Sequence, residues 1–364
     1  MFLDSLPESA ALDELDLRLV TVLQGSPRAD WREVGAALGV DPSTAARRWA
    51  RLSEAGNAWF SCYPTGLEGV PLIVAFVEVD CAPGRLYEVA AELAGDPHVF
   101  TVEHVTGGRN LVLTCAFGSL AELARYTGMR VGTLPGVAAS RTQIATALHT
   151  EGSRWRLDRL SGGGRGGPVR VAGRTEPGRS AVRRDDQELV QVLAEDVRQS
   201  VADLARRTGL SPTTVRRRLR RLEDSGALVF RCEVARSLSG WPVSVSLWCA
   251  APPGETARIT AHVSGMREIR LCASLSGPHN LLLAAWLRSI DDIHAFESRL
   301  VASVPELRVA DRAVTLWPVK LAGHLLDPTG RRLGSVPLGR WDQSAVAAAE
   351  AALLGRLPER HPPG

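Results

Sequence analysis

The chain has 364 residues, 45% of them apolar, and 43 Lys and Arg against 40 Asp and Glu give a net charge of +3. No apolar stretch reaches the roughly 18 residues of a membrane span, and the acidic start "MFLDSLPESAALDELD" lacks the basic-then-apolar order of a signal peptide, so a cytoplasmic protein of two or more domains is expected. Cys62, Cys81, Cys115, Cys232, Cys249 and Cys272 stand in no C-x-x-C and at no metal spacing with histidine; they read as small buried apolar residues in a reducing compartment, and no cofactor is expected.

In chain order, residues 12–66 read as a first winged helix-turn-helix, its last helix lying in "LGVDPSTAARRWARLSEAG" (38–56). Residues 69–150 follow as strand "PLIVAFVEVDC", helix Arg85 to Leu93, strand "HVFTVEHV", a Gly-rich turn at Thr106 to Asn110, strand "LVLTCAF", helix Leu120 to Leu134 and strand Val137 to Leu148. That order is β-α-β-β-α-β, the ferredoxin-like arrangement. Residues 151–184 hold 9 Arg against 3 acids among many glycines and read as a flexible linker. A second winged helix-turn-helix is expected over 185–237: helices Asp186 to Leu193 and Val201 to Thr208, the basic helix of "TGLSPTTVRRRLRRLEDSG" (208–226), and "GALVFRCEV" as a strand pair. A second ferredoxin-like domain spans 240–322, with elements Val243 to Ala250, Glu255 to Val263, Ile269 to Leu275, Leu281 to Leu287, Ile290 to Val304 and Arg308 to Val319. The tail, 327–364, carries an Ala-rich helix from Gln343 to Leu357. The fold class expected is α+β: two repeats of a winged helix-turn-helix followed by a βαββαβ domain.

The chain repeats itself. Gly39–Gly56 aligns with Gly209–Gly226 at a constant offset of 170, with eight of eighteen positions identical, and "TGGRNLVL" at 106 faces "SGPHNLLL" at 276. In the second copy Val215, Leu219 and Leu222 form an apolar seam, while Thr213, Arg216, Arg217 and Arg220 point away from it with no acid before Glu223. Such a face suits phosphate, and the order helix, helix, turn, basic helix, wing is that of a DNA-reading module. The candidate DNA contacts are Ser43, Thr44, Arg47, Arg48 and Arg51 in the first copy and Ser211, Thr213, Thr214, Arg216, Arg217, Arg220 and Arg221 in the second. A solvated charged surface is the plainer reading of such a run. Ala46 and Ala50 stand where Arg216 and Arg220 stand, so the first copy is the weaker one.

Those residues ("LDELDLRLVTVL", "GVDPSTAARRWARL", "TGGRNLVL", "LSPTTVRRRLRRL" and "SGPHNLLL") resemble the Lrp/AsnC family over about 12–150 and again 185–322. The resemblance implies a transcriptional regulator whose partners are double-stranded DNA and a small effector, an amino acid or related metabolite. Most members carry one unit per chain and dimerise, so this chain reads as a fused pair forming an intrachain pseudo-dimer that assembles further. Carried over from the family, the effector loop is Thr106, Gly107, Gly108, Arg109 and Asn110, and in the second copy Ser276, Gly277, Pro278, His279 and Asn280. Glycine lets the backbone approach a ligand and Arg109 offers a two-pronged donor to a carboxylate, while Asn110 and Asn280 also suit simple turn stabilisation. Enzyme chemistry is not expected: the eight histidines show no H-x-x-x-H, and there is no G-x-S-x-G or phosphate-binding loop. Two alternatives stand beside this reading. One is a decarboxylase acting on sirohaem, which resembles the same paired architecture and has His104, Arg109 or His279 to use; the other is an amino-acid sensor that binds no DNA.

Overall fold

The computed structural model describes residues 12–70, 72–157, 181–339 and 343–356. The first unit runs α1 (Glu14–Gly25), α2 (Trp31–Leu38), α3 (Pro42–Glu54), β1 (Ala58–Pro64), β2 (Ile73–Cys81), α4 (Leu86–Ala94), β3 (Val99–Val105), β4 (Leu111–Phe117), α5 (Leu120–Arg125) and β5 (Val137–Thr150). The second runs α6 (Gln187–Glu195), α7 (Val201–Thr208), α8 (Pro212–Asp224), β6 (Leu228–Val234), β7 (Val243–Ala250), α9 (Thr256–Val263), β8 (Ile269–Leu275), β9 (Leu281–Leu287), α10 (Asp292–Ser303) and β10 (Arg308–Leu321). β11 (His324–Leu326), β12 (Arg332–Ser335) and α11 (Ser344–Leu354) follow. Both helix-turn-helix turns are made alike. Gly39 (φ +72°) ends α2 and Gly209 (φ +67°) ends α7 in the left-handed conformation, and Asp41 and Ser211 then cap α3 and α8 by accepting from Ser43 N–H and Thr214 N–H.

The expected wings are not hairpins. β1 and β6 are single strands that pair with each other, antiparallel, with Ser61 opposite Arg231 and Ala58 opposite Val234. Residues 61 and 231 are themselves repeat equivalents, so a pseudo-two-fold axis passes through that pair. Pro64 at the end of β1 with Gly66 and Gly69 beyond it, and Gly240 and Pro242 after β6, keep the chain from returning as a second strand, so each edge finds its ladder in the other copy. The packing is exchanged too: Cys232 and Val234 of β6 join the core of α1 to α3, and Cys62 of β1 joins that of α6 to α8.

The two βαββαβ units are likewise not separate sheets. Within each the strand order is β3-β4-β2-β5 or β8-β9-β7-β10, which leaves two edges, and each edge pairs with the other unit. β5 and β10 are long enough to do both. β5 pairs with β2 through Ile144 and with β8 from Ala145 on; β10 pairs with β7 through Val314 and with β3 from Thr315 on. Eight strands thus close a ring, which removes the exposed edges a four-stranded sheet would present. Alternation along β2 sends Ala75, Val77 and Val79 outward under α4 and α5, and Phe76 inward, where it packs with Trp248, Leu275 and Leu282 of the other unit. Lys320, the chain's only lysine, is fully buried on β10 with Nζ donating to the Asp96 carbonyl (2.8 Å), and burial pulls its pKa down to about 8.

Two boundaries move. Residues 151–157, read as the start of the linker, are built in: Trp155 packs against Trp286 (ring centroids 4.7 Å) and Leu157 is fully buried, since two apolar side chains gain more from the core than from solvent. At the other end Val182 is buried and bonds to Gly66 and Glu68. The rest of the linker, 158–180, lies outside the described residues, as do 357–364 of the tail. α11 is anchored on α5, where Arg125 bonds Gln343 (3.0 Å) and Glu350 (2.8 Å). Because strands of both units alternate around one ring, cutting the chain near Gly163 should leave two fragments that co-purify through size exclusion; fragments that elute separately as monomers would rule the closed ring out.

Candidate nucleic-acid interface

α8 buries Val215, Leu219 and Leu222 against α6 and α7 and exposes Thr213, Arg216, Arg217 and Arg220. These four, with Arg221, Asp224 and Ser225, line an open groove of about 710 Å³. Among the described residues Arg216, Arg217 and Arg220 form no ion pair. Arg221, also a candidate contact, pairs with Asp186, as Arg218 does at 3.3 Å, and Asp186 is 1% exposed at the start of α6. Ser211 and Thr214 build the helix start, Ser211 Oγ accepting from Thr214 N–H and lying 2.9 Å from Thr214 Oγ1.

α3 has the same frame with fewer free charges. Ala45, Trp49 and Leu52 are buried. Arg48 bonds Asp13 (2.6 Å) and Asp16 (2.8 Å), and Arg51 bonds Asp16 (2.6 Å), so these two candidate contacts are already paired within the unit. Ser43 Oγ donates to Asp41 (2.6 Å), and Thr44 is half-buried. Arg47 is exposed and, among the described residues, unpaired. α3 therefore offers one free guanidinium where α8 offers three.

The two hairpins sit where the units join. Thr106 N–H donates to the Val314 carbonyl while Val314 N–H donates to Thr106 Oγ1, both at 2.9 Å; Ser276 and Ile144 make the equivalent pair at 2.9 and 3.0 Å. Asn110 Oδ1 accepts from Cys81 N–H (2.7 Å), and Asn280 clamps both the N–H (2.9 Å) and the carbonyl (2.8 Å) of Ala251, which is the turn-stabilising role. Gly107 takes φ +97° and Gly108 is exposed, whereas Gly277 packs so closely that a Cβ there would meet Gln143 Nε2 at 2.7 Å. Arg109 is neither exposed nor free. Its side chain is 9% exposed, Nε lies 2.9 Å from Glu78 Oε2, a terminal nitrogen bonds Asp311 of the other unit, and the guanidinium stacks 4.1 Å over Trp248. An effector carboxylate would have to displace two carboxylates already there. His279 is half-buried beside Pro278.

The model of the AsnC-type helix-turn-helix domain matches residues 12–53 and 184–223, and that of the Lrp/AsnC ligand binding domain matches 74–154. The uncharacterised HTH-type transcriptional regulator PH0140 of Pyrococcus horikoshii is 30% identical over 142 residues, 87% of its own length and 38% of this chain. The chain belongs to the Lrp/AsnC family. The HTH-type transcriptional regulator FL11 of the same organism is 29% identical over 142 residues, 93% of its length. Each of these relatives spans about one of the two units in this Lrp/AsnC chain. A likeness over nearly the whole chain comes from solved structures of the siroheme decarboxylase NirDL, at 13% identity and a TM-score of 0.54: one covers 85% of this chain and 93% of NirDL, and the complex with an iron-uroporphyrin III analogue covers 94% and 99%. At that identity the likeness is one of fold.

What sequence reading passed over in this Lrp/AsnC chain is the acids that occupy the arginines. Asp16 and Asp186 carry a signal that was available, since they are equivalent at the offset of 170 and both open the first helix of a unit. Glu78 and Asp311 carry none. Their repeat equivalents are Trp248 and Arg141, so nothing in the repeat marks them as charge partners.

Proposed function

We propose that this chain is a sequence-specific DNA-binding transcriptional regulator in which α8 supplies most of the phosphate contact and a small effector, an amino acid or related metabolite, modulates binding. The observation that carries it is the set of three arginines, without an ion pair among the described residues, on the solvent face of a helix-turn-helix recognition helix, while every other arginine of α8 is held by Asp186. Phosphate is the anion such a face suits, because a row of guanidinium groups matches its charge and geometry. Selection of bound fragments from sheared genomic DNA should enrich a defined sequence; recovery of random sequence only would remove the specificity.

The effector reading rests on the family and on the place of the hairpins, one at each junction between units, where a bound molecule touches both halves of the ring. An effector shifts DNA affinity only if it binds two arrangements unequally. The backbone of Gly107 and Gly108 is the accessible donor set, since Arg109 is already engaged. A thermal-shift screen of amino acids and keto acids should yield a hit that weakens in Gly108→Val and changes DNA affinity; hits indifferent to that substitution would move the effector elsewhere. The second reading, a tetrapyrrole enzyme, is favoured by one observation beyond the shared fold. A groove of about 500 Å³ on the outside of the ring is lined by Tyr87, His104, Leu316, Trp317 and Pro328, with burial lowering the His104 pKa. Adding an iron tetrapyrrole to the same screen tests it, because ligation by His104 would shift the absorption spectrum in wild type and not in His104→Ala.

A further inference from the structure

The turns before α2 and α7 face each other and exchange arginines. Arg28, in the first, donates to the carbonyls of Val197 and, at 3.5 Å, Gln199 in the second. Arg198 returns the contact, donating to Pro27 and Ala29, both at 2.7 Å. The offset of 170 relates Arg28 to Arg198, Pro27 to Val197 and Ala29 to Gln199, so this is one contact made twice across the pseudo-two-fold axis. Each arginine also reaches a helix. Arg28 Nε lies 3.5 Å from Glu223 in the last turn of α8, and the Arg198 guanidinium sits 4.1 Å over the ring of Trp31, the first residue of α2.

Stability alone is a poor account of this arrangement. Burial lowers the Arg198 pKa, with the Arg28 charge adding to the effect, so two like charges are held close together and part-desolvated. The β1–β6 ladder and its exchanged cores already hold the two helix-turn-helix units to each other. The arginine exchange adds a second tie, which joins the α1–α2 turn directly to the α6–α7 turn. We propose that Arg28 and Arg198 are positioning residues that set the distance and angle between the recognition helices α3 and α8, and with them the half-site spacing the protein accepts on DNA. This rests on the DNA-binding function proposed above.

The test uses the full chain, as wild type, as Arg28→Ala/Arg198→Ala, and as Arg28→Lys/Arg198→Lys. Lysine keeps the charge, but its single ammonium lacks the fork that spans two carbonyls. Each protein is titrated with a single half-site duplex and with duplexes whose two half-sites are separated by every length across one helical turn, about 10 base pairs. Wild type should prefer one spacing by about tenfold, and both double variants should lose most of that preference while holding the single half-site within about twofold. An unchanged spacing optimum in both variants, or a wild type indifferent to spacing, overturns the proposal. A second readout needs no DNA: spin labels on Ser43→Cys and Thr213→Cys, in a Cys81→Ser background because Cys81 is the cysteine that is not buried, report the helix-to-helix distance. That distribution should broaden in both variants, and an unbroadened one overturns the proposal even if the alanine variant is poorly folded, since the lysine variant is read alongside it. If wild type binds no DNA but the distances broaden, it is the DNA reading that has failed, and the spacing claim falls with it.

Discussion

Replacing Arg216 and Arg220 with alanine weakens DNA binding and flattens its salt dependence far more than Arg47→Ala does. The two recognition helices share a frame, but Arg216 and Arg220 of α8 stand where α3 has Ala46 and Ala50. Neither arginine has an ion pair to lose among the described residues, so substitution removes only what they offer to a ligand. Each phosphate contact that disappears should lower the slope of log affinity against log salt by about 0.9, so the double variant loses about two units of slope and Arg47→Ala at most about one. Arg221→Ala is the informative control. Its partner Asp186 is buried, so that substitution should lower folding stability while changing the salt slope little. Fluorescence anisotropy from about 50 to 200 mM salt measures all four proteins, and equal slopes for the α3 and α8 variants would refute the asymmetry.

The largest expected effect on folding is that of Glu233→Ala. Glu233 is 3% exposed on β6 and accepts two bonds from Arg270 of β8 (2.7 and 2.9 Å) while pairing with Arg231 on its own strand. Arg270 also stacks 3.7 Å over Trp286. The cluster therefore joins the paired helix-turn-helix units to the ring. Removing the carboxylate takes from the buried Arg270 guanidinium the carboxylate it bonds, while Arg231 keeps Glu151 and Tyr63 beside it, with an expected loss of about 3–5 kcal/mol, whereas Glu88→Ala at an exposed pair with Arg85 should change stability by less than about 1 kcal/mol. The acid limb gives a second signature. Burial alone would raise the Glu233 pKa, but Arg231 and Arg270 more than reverse this and hold it below the usual range. A depressed folded pKa contributes stability that is complete above the unfolded value, about 4.3, and is lost as pH falls below it. Glu233→Gln should thus be less stable than wild type at neutral pH, with the gap closing as the pH drops below about 4. Urea melts at the two pH values decide it: a gap that is absent at neutral pH, or that does not close in acid, would show that the cluster is neutral in its contribution.

Both predictions depend on contacts of different sequence range, and that range explains how far the sequence could be read. The offset of 170, the caps at Asp41 and Ser211, the left-handed glycines 39 and 209 and the seam Val215, Leu219, Leu222 are local features, and the βαββαβ order follows from periods of 2 and 3.6. The Lrp/AsnC family was legible in the same residues, because its motif is one recognition helix and one hairpin. Which arginines remain free was not legible. Arg221 and Arg218 lie some 30 residues from Asp186, and Arg109 lies 202 residues from Asp311; ion pairs at such separations leave no periodic trace. The wings that became one shared ladder and the sheets that became one ring were misread for a related reason. A strand's sequence shows which face is apolar, but an unpaired edge is satisfied by whichever strand lies beside it, and only the tertiary structure brings residues 61 and 231, or 106 and 314, together.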